Sequence, residues 1–132
     1  MDFIKREIDT HDIVIAGHTY PAIFNYRAII ELEALTSTSH SHTLTKLENY
    51  DDEGIYQSGL NSGPIAAGEV AALVFGMLIA GGVKVAYVDL INSIGLDEQA
   101  SLIKQAKSII EAQRMPESKN VKTTTKVTKV KN

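Results

Sequence analysis

The apolar positions of residues 13 to 35, IVIAGHTYPAIFNYRAIIELEAL, change period part-way along. Residues 13–16 and 19–24 are rich in β-branched and aromatic side chains and flank Gly17 and His18. That pair predicts a hairpin turn, because glycine takes the positive φ that a two-residue loop requires. From Asn25 onward the spacing is helical: Tyr26, Ile29 and Ile30 share one stripe, and Ala28, Leu32 and Leu35 the adjoining one. Asn25 is a good N-cap, since its side-chain oxygen can accept from a free N–H of the first turn. A strand pair over residues 13–24 therefore feeds directly into a helix over residues 25–36.

Beyond this helix the pattern loses its period. Residues 36–63, TSTSHSHTLTKLENYDDEGIYQSGLNSG, are dense in Ser, Thr, Asn, Asp and Gly, whose side chains compete with regular backbone bonding, and they predict mainly loop. Within it, residues 44–50 can form one or two helical turns capped by Thr43, with Leu44, Leu47 and Tyr50 turned inward. A long connection of this kind in a compact domain points to function or mobility.

The remaining chain predicts three helices. The first covers residues 64–81, with Ser62 or Gly63 as cap, Pro64 in the first turn and Gly81 and Gly82 as the stop. Its uninterrupted apolar run, residues 70–83, is 14 residues long. A bilayer span needs about 20, so the run reads as a buried central helix. Small residues recur at Ala67, Ala71, Ala72, Gly76 and Ala80, where another helix of the domain or of a second copy can approach closely. The second helix covers residues 85–94, with Tyr87, Leu90, Ile91 and Ile94 on one side and Gly95 as its stop; the third covers residues 98–114, capped by Asp97 and ended by Pro116. Its core stripe is Leu102, Ile103, Ala106, Ile109 and Ile110.

These elements predict one small α+β domain over residues 1–115, mainly α with an N-terminal antiparallel β-hairpin. The expected core includes Ile15, Ile23, Ile30, Leu32, Leu73, Phe75, Leu78, Leu90, Ile103 and Ile110. Composition agrees: 132 residues, 44% hydrophobic and 22% charged, are ordinary for a globular domain. The absence of cysteine excludes disulfides, thiolate metal ligands and a cysteine nucleophile, and fits a reducing cytoplasm. The first residues, MDFIKREIDTHD, have no apolar stretch of the signal-peptide type.

Charge is unevenly placed. Residues 116–132 hold five lysines against Glu117, a charge of +4, so the overall −3 leaves −7 on residues 1–115. The tail alternates Val and Thr with Lys and has no Leu, Ile or aromatic residue, too little apolar surface to offset the entropy of ordering. It predicts a disordered, flexible basic segment. Its lysines suit phosphate contacts, but without arginine or an aromatic it lacks the stacking platform of a single-strand binder.

Catalytic chemistry is poorly represented. His40 and His42 lie two apart in a polar stretch upstream of Asp51, Asp52 and Glu53, a spacing that matches no known metal-ligand signature. His11 and His18 flank the hairpin without an obvious partner, and Glu31 and Glu33 fall on different helix faces, so they do not make an acid–base pair. There is no phosphate-binding glycine loop, nucleophile elbow or His-Glu-His zinc motif. The expectation is a protein without enzymatic activity, cofactor or metal.

The order of features resembles the tail assembly chaperones of long-tailed bacteriophages (siphophages) and prophages. In that family a strand, a tight turn and a strand ending in Tyr-Pro or a relative lead into a helix of the pattern Phe-x-Tyr-x-Ala-x-x-x-Leu-Glu. Here the matching residues are Gly17, Tyr20, Pro21, Phe24, Tyr26, Ala28, Leu32 and Glu33. The similarity extends as an ordered pattern over residues 13–112, with the loop of residues 36–63 expanded. It implies a non-catalytic cytoplasmic protein that binds the tape measure protein and keeps its apolar helices from aggregating until the tail tube polymerises. Such a protein is absent from the mature virion. In many relatives a frameshifted longer form recruits tail tube protein. A homo-oligomer is expected, and from the short apolar run and the tail composition no membrane or nucleic-acid partner. The alternatives are a holin-like membrane-active phage protein using residues 64–83, and a nucleic-acid-binding regulator using the lysine-rich tail.

A chaperone of helical segments needs an apolar groove, and the first helix with the Ala/Gly-rich helix is the expected place for one. The expected partner-binding residues are the exposed members of Tyr26, Ile29, Ala71 and Met77, with self-association through the same face.

Overall fold

The computed structural model describes residues 9–57 and 63–114. The expected basic tail, residues 116–132, lies outside the described residues. Two strands, β1 (His11–Ile15) and β2 (His18–Ala22), form an antiparallel sheet in which Ile13 faces Tyr20 and Ile15 faces His18. Period-2 alternation turns Ile13 and Ile15 into the core and leaves Asp12 and Val14 outside. The turn lies one residue earlier than the Gly17-His18 pair suggested. It consists of Ala16 and Gly17, both at positive φ (52° and 81°), the signature of a type I′ hairpin loop. His18 is thereby drawn into the strand.

The hairpin ends at Ala22 rather than at Phe24, because Ile23 leaves the sheet and its N–H donates to the carbonyl of Met77 at 3.1 Å. Three residues after Ile23 the first helix begins: α1 (Tyr26–Thr36), with the Asn25 side chain accepting from Ala28 N–H at 3.1 Å as the sequence requires. Ser37, in the left-handed conformation, closes it by donating to the Glu33 carbonyl at 2.8 Å.

Where residues 36–63 predicted mainly loop, the structure has α2 (His40–Leu47), capped by Ser39 rather than Thr43. Thr43 is instead fully buried inside the helix, Leu47 and Tyr50 turn inward, and Leu44 is half-buried. The apolar central helix is α3 (Ala67–Ala80), which buries residues all round its circumference. It starts three residues later than expected. Ile65 is tucked into the core with its N–H on the Tyr50 hydroxyl at 3.0 Å, which holds the chain before Ala67 extended. The start is fixed by Glu69, whose carboxylate accepts from Ala66 N–H at 2.9 Å, not by Gly63 or Pro64.

The last elements are α4 (Tyr87–Ile91), a 3-10 turn (Leu96–Glu98) and α5 (Gln99–Arg114). The helix expected over residues 85–94 shrinks to one turn and a half, and Ser93 Oγ donates back to the Asp89 carbonyl at 2.7 Å just beyond its end. Gly95 does not stop α4; its N–H donates to Glu98 Oε1 at 2.8 Å and opens the 3-10 turn, into which Asp97 falls instead of capping α5.

The core gathers around α3. Of the residues expected there, Ile30 is the clear exception, 48% exposed, because α1 meets α3 through Ala28 and Leu32 and Ile30 points about 160° from Leu32. Phe75 is half-buried, edge-on to Tyr87 with ring centres 5.4 Å apart. Across the other side, β1 lies along α5: Val14 exchanges two hydrogen bonds with the Gln105 amide, and Ala16 N–H donates to Glu98 Oε2 at 2.7 Å.

Candidate partner-binding surface

Four carboxylates, Glu33, Asp51, Glu69 and Glu98, are tied into the scaffold. Glu33 Oε2 accepts from both the backbone N–H and the ring Nδ1 of His40, each at 2.8 Å. The His40 ring bond, with the backbone bond behind it, holds the Glu33 carboxyl below its usual range. Glu69 receives Lys46 Nζ at 2.9 Å, Thr43 Oγ1 at 3.2 Å and Ala66 N–H, with His42 Nε2 at 3.9 Å. Burial pushes this carboxyl up, but the Ala66 and Lys46 hydrogen bonds outweigh it and leave it lowered. Asp51 is lowered by the N–H groups of Ile55 and Glu53, and Glu98 by those of Gly95 and Ala16.

These carboxylates act as hydrogen-bond acceptors that join elements: Glu33 links α1 to α2, Glu69 links α2 to α3, and Glu98 links the 3-10 turn to the hairpin. His40 and His42 are thus drawn to two different glutamates, not to a shared point. Among the described residues no three His, Asp or Glu side chains converge on a position where a metal could sit. His11 has a partner that the sequence did not reveal, Gln113 of α5 at 3.3 Å.

The expected partner-binding residues separate into two pairs. Tyr26 is 78% exposed on the outer side of α1, and Ile29 is half-buried beside it. Met77 is fully buried, which puts it out of a partner's reach in the folded chain, and Ala71 keeps 7% of its surface. The physical reason is the close crossing of α1 over α3. Gly76 takes the backbone of α1 so near that a Cβ there would stand 2.6 Å from the Ala28 carbonyl oxygen.

An open apolar groove lies instead between α3, α4 and α5, with a volume of about 500 Å3. Ala67, Gly68 and Ala71 form its α3 wall, Tyr87 and Ile91 the α4 wall, and Leu102 the α5 wall. The groove exists because the first turn of α3 carries only small side chains toward α4, and because α4 is too short to close over it. At its edge Leu96 is fully exposed, and Val88 and Ile91 are also open to solvent on α4. A second depression of about 370 Å3, bordered by Ile15, Tyr20, Val83 and Leu90, lies on the hairpin side of α4.

Sequence reasoning placed Ala67 and Ala71 on a surface for close approach and Ile91 on the apolar side of its helix, but assigned no role to Gly68 or Leu96. The available signal was Leu96, a large aliphatic residue between Gly95 and Asp97 that belongs to neither neighbouring apolar stripe.

Among the described residues no helix is long and apolar enough to cross a membrane. Comparison of the chain with family models, with curated proteins and with solved structures found no match.

Proposed function

We propose that this chain is a non-catalytic tail assembly chaperone of the phage type, which binds the tape measure protein in the host cytoplasm, promotes tail tube assembly and is left out of the mature virion. The observation that carries the reading is the hairpin that runs straight into α1, with Tyr20 and Pro21 in β2 and Phe24, Tyr26, Ala28, Leu32 and Glu33 at the family's spacing. Those positions have distinct physical tasks that favour a retained pattern. Ala28 and Leu32 pack α1 on α3, Glu33 holds α2, and Tyr26 is left at the surface.

The exposed apolar groove and the solvent-facing Tyr26 support a binding protein, since apolar surface left open in a small domain is characteristic of partner sites. Carboxylates engaged as structural acceptors support a role without acid–base chemistry. The test is co-expression with the tape measure protein encoded in the same genome. The expected result is a soluble complex that survives affinity purification, and tape measure protein that aggregates when expressed alone. Tape measure protein that stays equally insoluble with and without this chain would overturn the proposal. A longer frameshifted product that captures tail tube protein would extend it.

A further inference from the structure

We infer that the outer face of α1 pairs with the same face of a second copy of this chain, antiparallel about a two-fold axis at Ile30, in a weak dimer that covers Tyr26 until a partner replaces it. α1 meets the core through Ala28 and Leu32, and in an ordinary surface helix the opposite side would be polar. Instead Tyr26, Ile30 and Ala34, spaced i, i+4 and i+8, form an exposed apolar row along the middle of that side.

This row is complementary to itself when reversed. Tyr26 and Ala34 lie four residues to either side of Ile30, about 6 Å along the helix axis. An antiparallel copy therefore sets the large Tyr26 ring against the small Ala34 of the other chain, twice, with the two Ile30 side chains between them. Charge points the same way. Arg27 and Glu31 border the row on one side, and Arg27 Nε donates to Glu31 Oε2 at 2.8 Å. The two terminal nitrogens of Arg27 and Oε1 of Glu31 have no partner among the described residues. Reversal brings Arg27 of each copy to within about 3 Å in height of Glu31 of the other. A parallel pair would set Arg27 against Arg27 and Tyr26 against Tyr26.

Other occupants match this face less well. The lysine-rich tail has no Leu, Ile or aromatic residue with which to cover Tyr26 and Ile30, and a border carrying both signs selects neither an anionic membrane nor a polyanion. Each full-length copy carries −3, so long-range repulsion is modest. Because α1 has 11 residues and is about 16 Å long, the contact buries less than the roughly 1,200 Å2 of a lasting complex and exchanges readily.

The inference rests on the proposed role only for the identity of the partner that displaces the dimer. Sedimentation of the full-length protein should show a monomer–dimer equilibrium with a Kd of about 10–500 µM. Ile30→Glu should weaken it at least tenfold and leave the melting temperature unchanged, since this side chain points away from the core. Arg27→Glu and Glu31→Arg should each weaken the dimer when alone, because each sets like charges against one another. Mixed in equal amounts they should form a heterodimer at least tenfold tighter than either homodimer. That rescue requires a second copy and no other occupant supplies it.

A wild-type protein that stays monomeric at about 1 mM would overturn the inference. So would a dimer that Ile30→Glu leaves intact, or charge variants that remain apart when mixed. A dimer broken by Leu96→Glu and not by Ile30→Glu would place the contact at the groove and equally defeat it. Tape measure protein that binds without dissociating the dimer would refute displacement. If the dimer behaves as expected but tape measure protein does not bind, the proposed function fails and the α1 contact stands. If tape measure protein binds and the wild type is monomeric, the reverse holds.

Discussion

A Cβ on Gly76 would stand 2.6 Å from the carbonyl oxygen of Ala28, closer than any side-chain carbon can come to backbone. Only glycine lets α1 lie on α3 at this distance, and the obstacle is main chain that cannot rotate away. Gly76→Ala should therefore destabilise by about 1–3 kcal/mol, the usual range for overpacking, although alanine is the better helix former. Chemical denaturation compares it with Gly68→Ala, where the added methyl is unopposed and stability should hold or rise by up to about 1 kcal/mol. A Gly76→Ala protein as stable as wild type would show that the two helices can separate freely.

The turn of the hairpin offers a stabilising change. Ala16 sits at φ 52°, a conformation that costs a residue with a Cβ about 1–2 kcal/mol and that asparagine tolerates better. Ala16→Asn should raise stability by about 0.5–1 kcal/mol, and Ala16→Val should lower it. Thermal melts read both, and a lower melting temperature for Ala16→Asn would contradict the turn assignment.

Both positions show what the sequence made legible. The hairpin-to-helix order, the Asn25 cap and the buried character of α3 follow from local periodicity and cap chemistry, which a sequence displays directly. The turn register did not follow, because Ala16-Gly17 and Gly17-His18 are equally plausible until Ile15 is paired with His18 across the sheet. The start of α2 was hidden because its burial comes from Thr43 bonding to Glu69, 26 positions away. The binding surface was misplaced for a related reason. The small residues from Ala67 to Ala80 read alike as positions for close approach, but α1 occupies the part around Gly76, while Ala67, Gly68 and Ala71 border the open groove.

Glu69 makes stability depend on pH in a definite direction. Its carboxyl titrates lower in the folded chain than in the unfolded one, so between the two values the unfolded state binds more protons. The stabilisation is present above the ordinary glutamate range and is lost as pH falls through the lowered folded value. Denaturation midpoints should therefore decline from about pH 5 downward, and more shallowly for Glu69→Gln. A Glu69→Gln protein with the same acid slope as wild type would exclude this carboxylate as the cause.

Tyr50 closes the segment that precedes α3. Its buried ring carries the hydroxyl that accepts from Ile65 N–H, and Lys107 Nζ donates to its carbonyl. Tyr50→Phe keeps the ring and its edge-on contact with Tyr56 but leaves a buried N–H unpaired, at a cost of about 1–3 kcal/mol. Hydrogen exchange at Ile65 should accelerate more than at Leu73, which lies deep in α3. Equal acceleration at both positions would mean that the hydroxyl supports the whole domain and not this junction.

Tyr26 separates binding from folding in the proposed role. Its side chain projects from the first turn of α1 beside exposed Ile30, while Arg27 and Glu31 pair at 2.8 Å along the same helix. Nothing in the core depends on it, so Tyr26→Glu should change stability by no more than about 0.5 kcal/mol. If the outer face of α1 contacts the tape measure protein, the same substitution should reduce co-purification at least tenfold by placing a charge in an apolar contact. Met77 cannot be used for this purpose. It is enclosed on all sides, and Met77→Ala should cost about 2–5 kcal/mol through the cavity it leaves, so any loss of binding would follow from loss of the fold. A Tyr26→Glu protein that folds normally and retains full binding would move the contact away from α1 and leave the groove beside Leu96 as the surface to which the partner must attach.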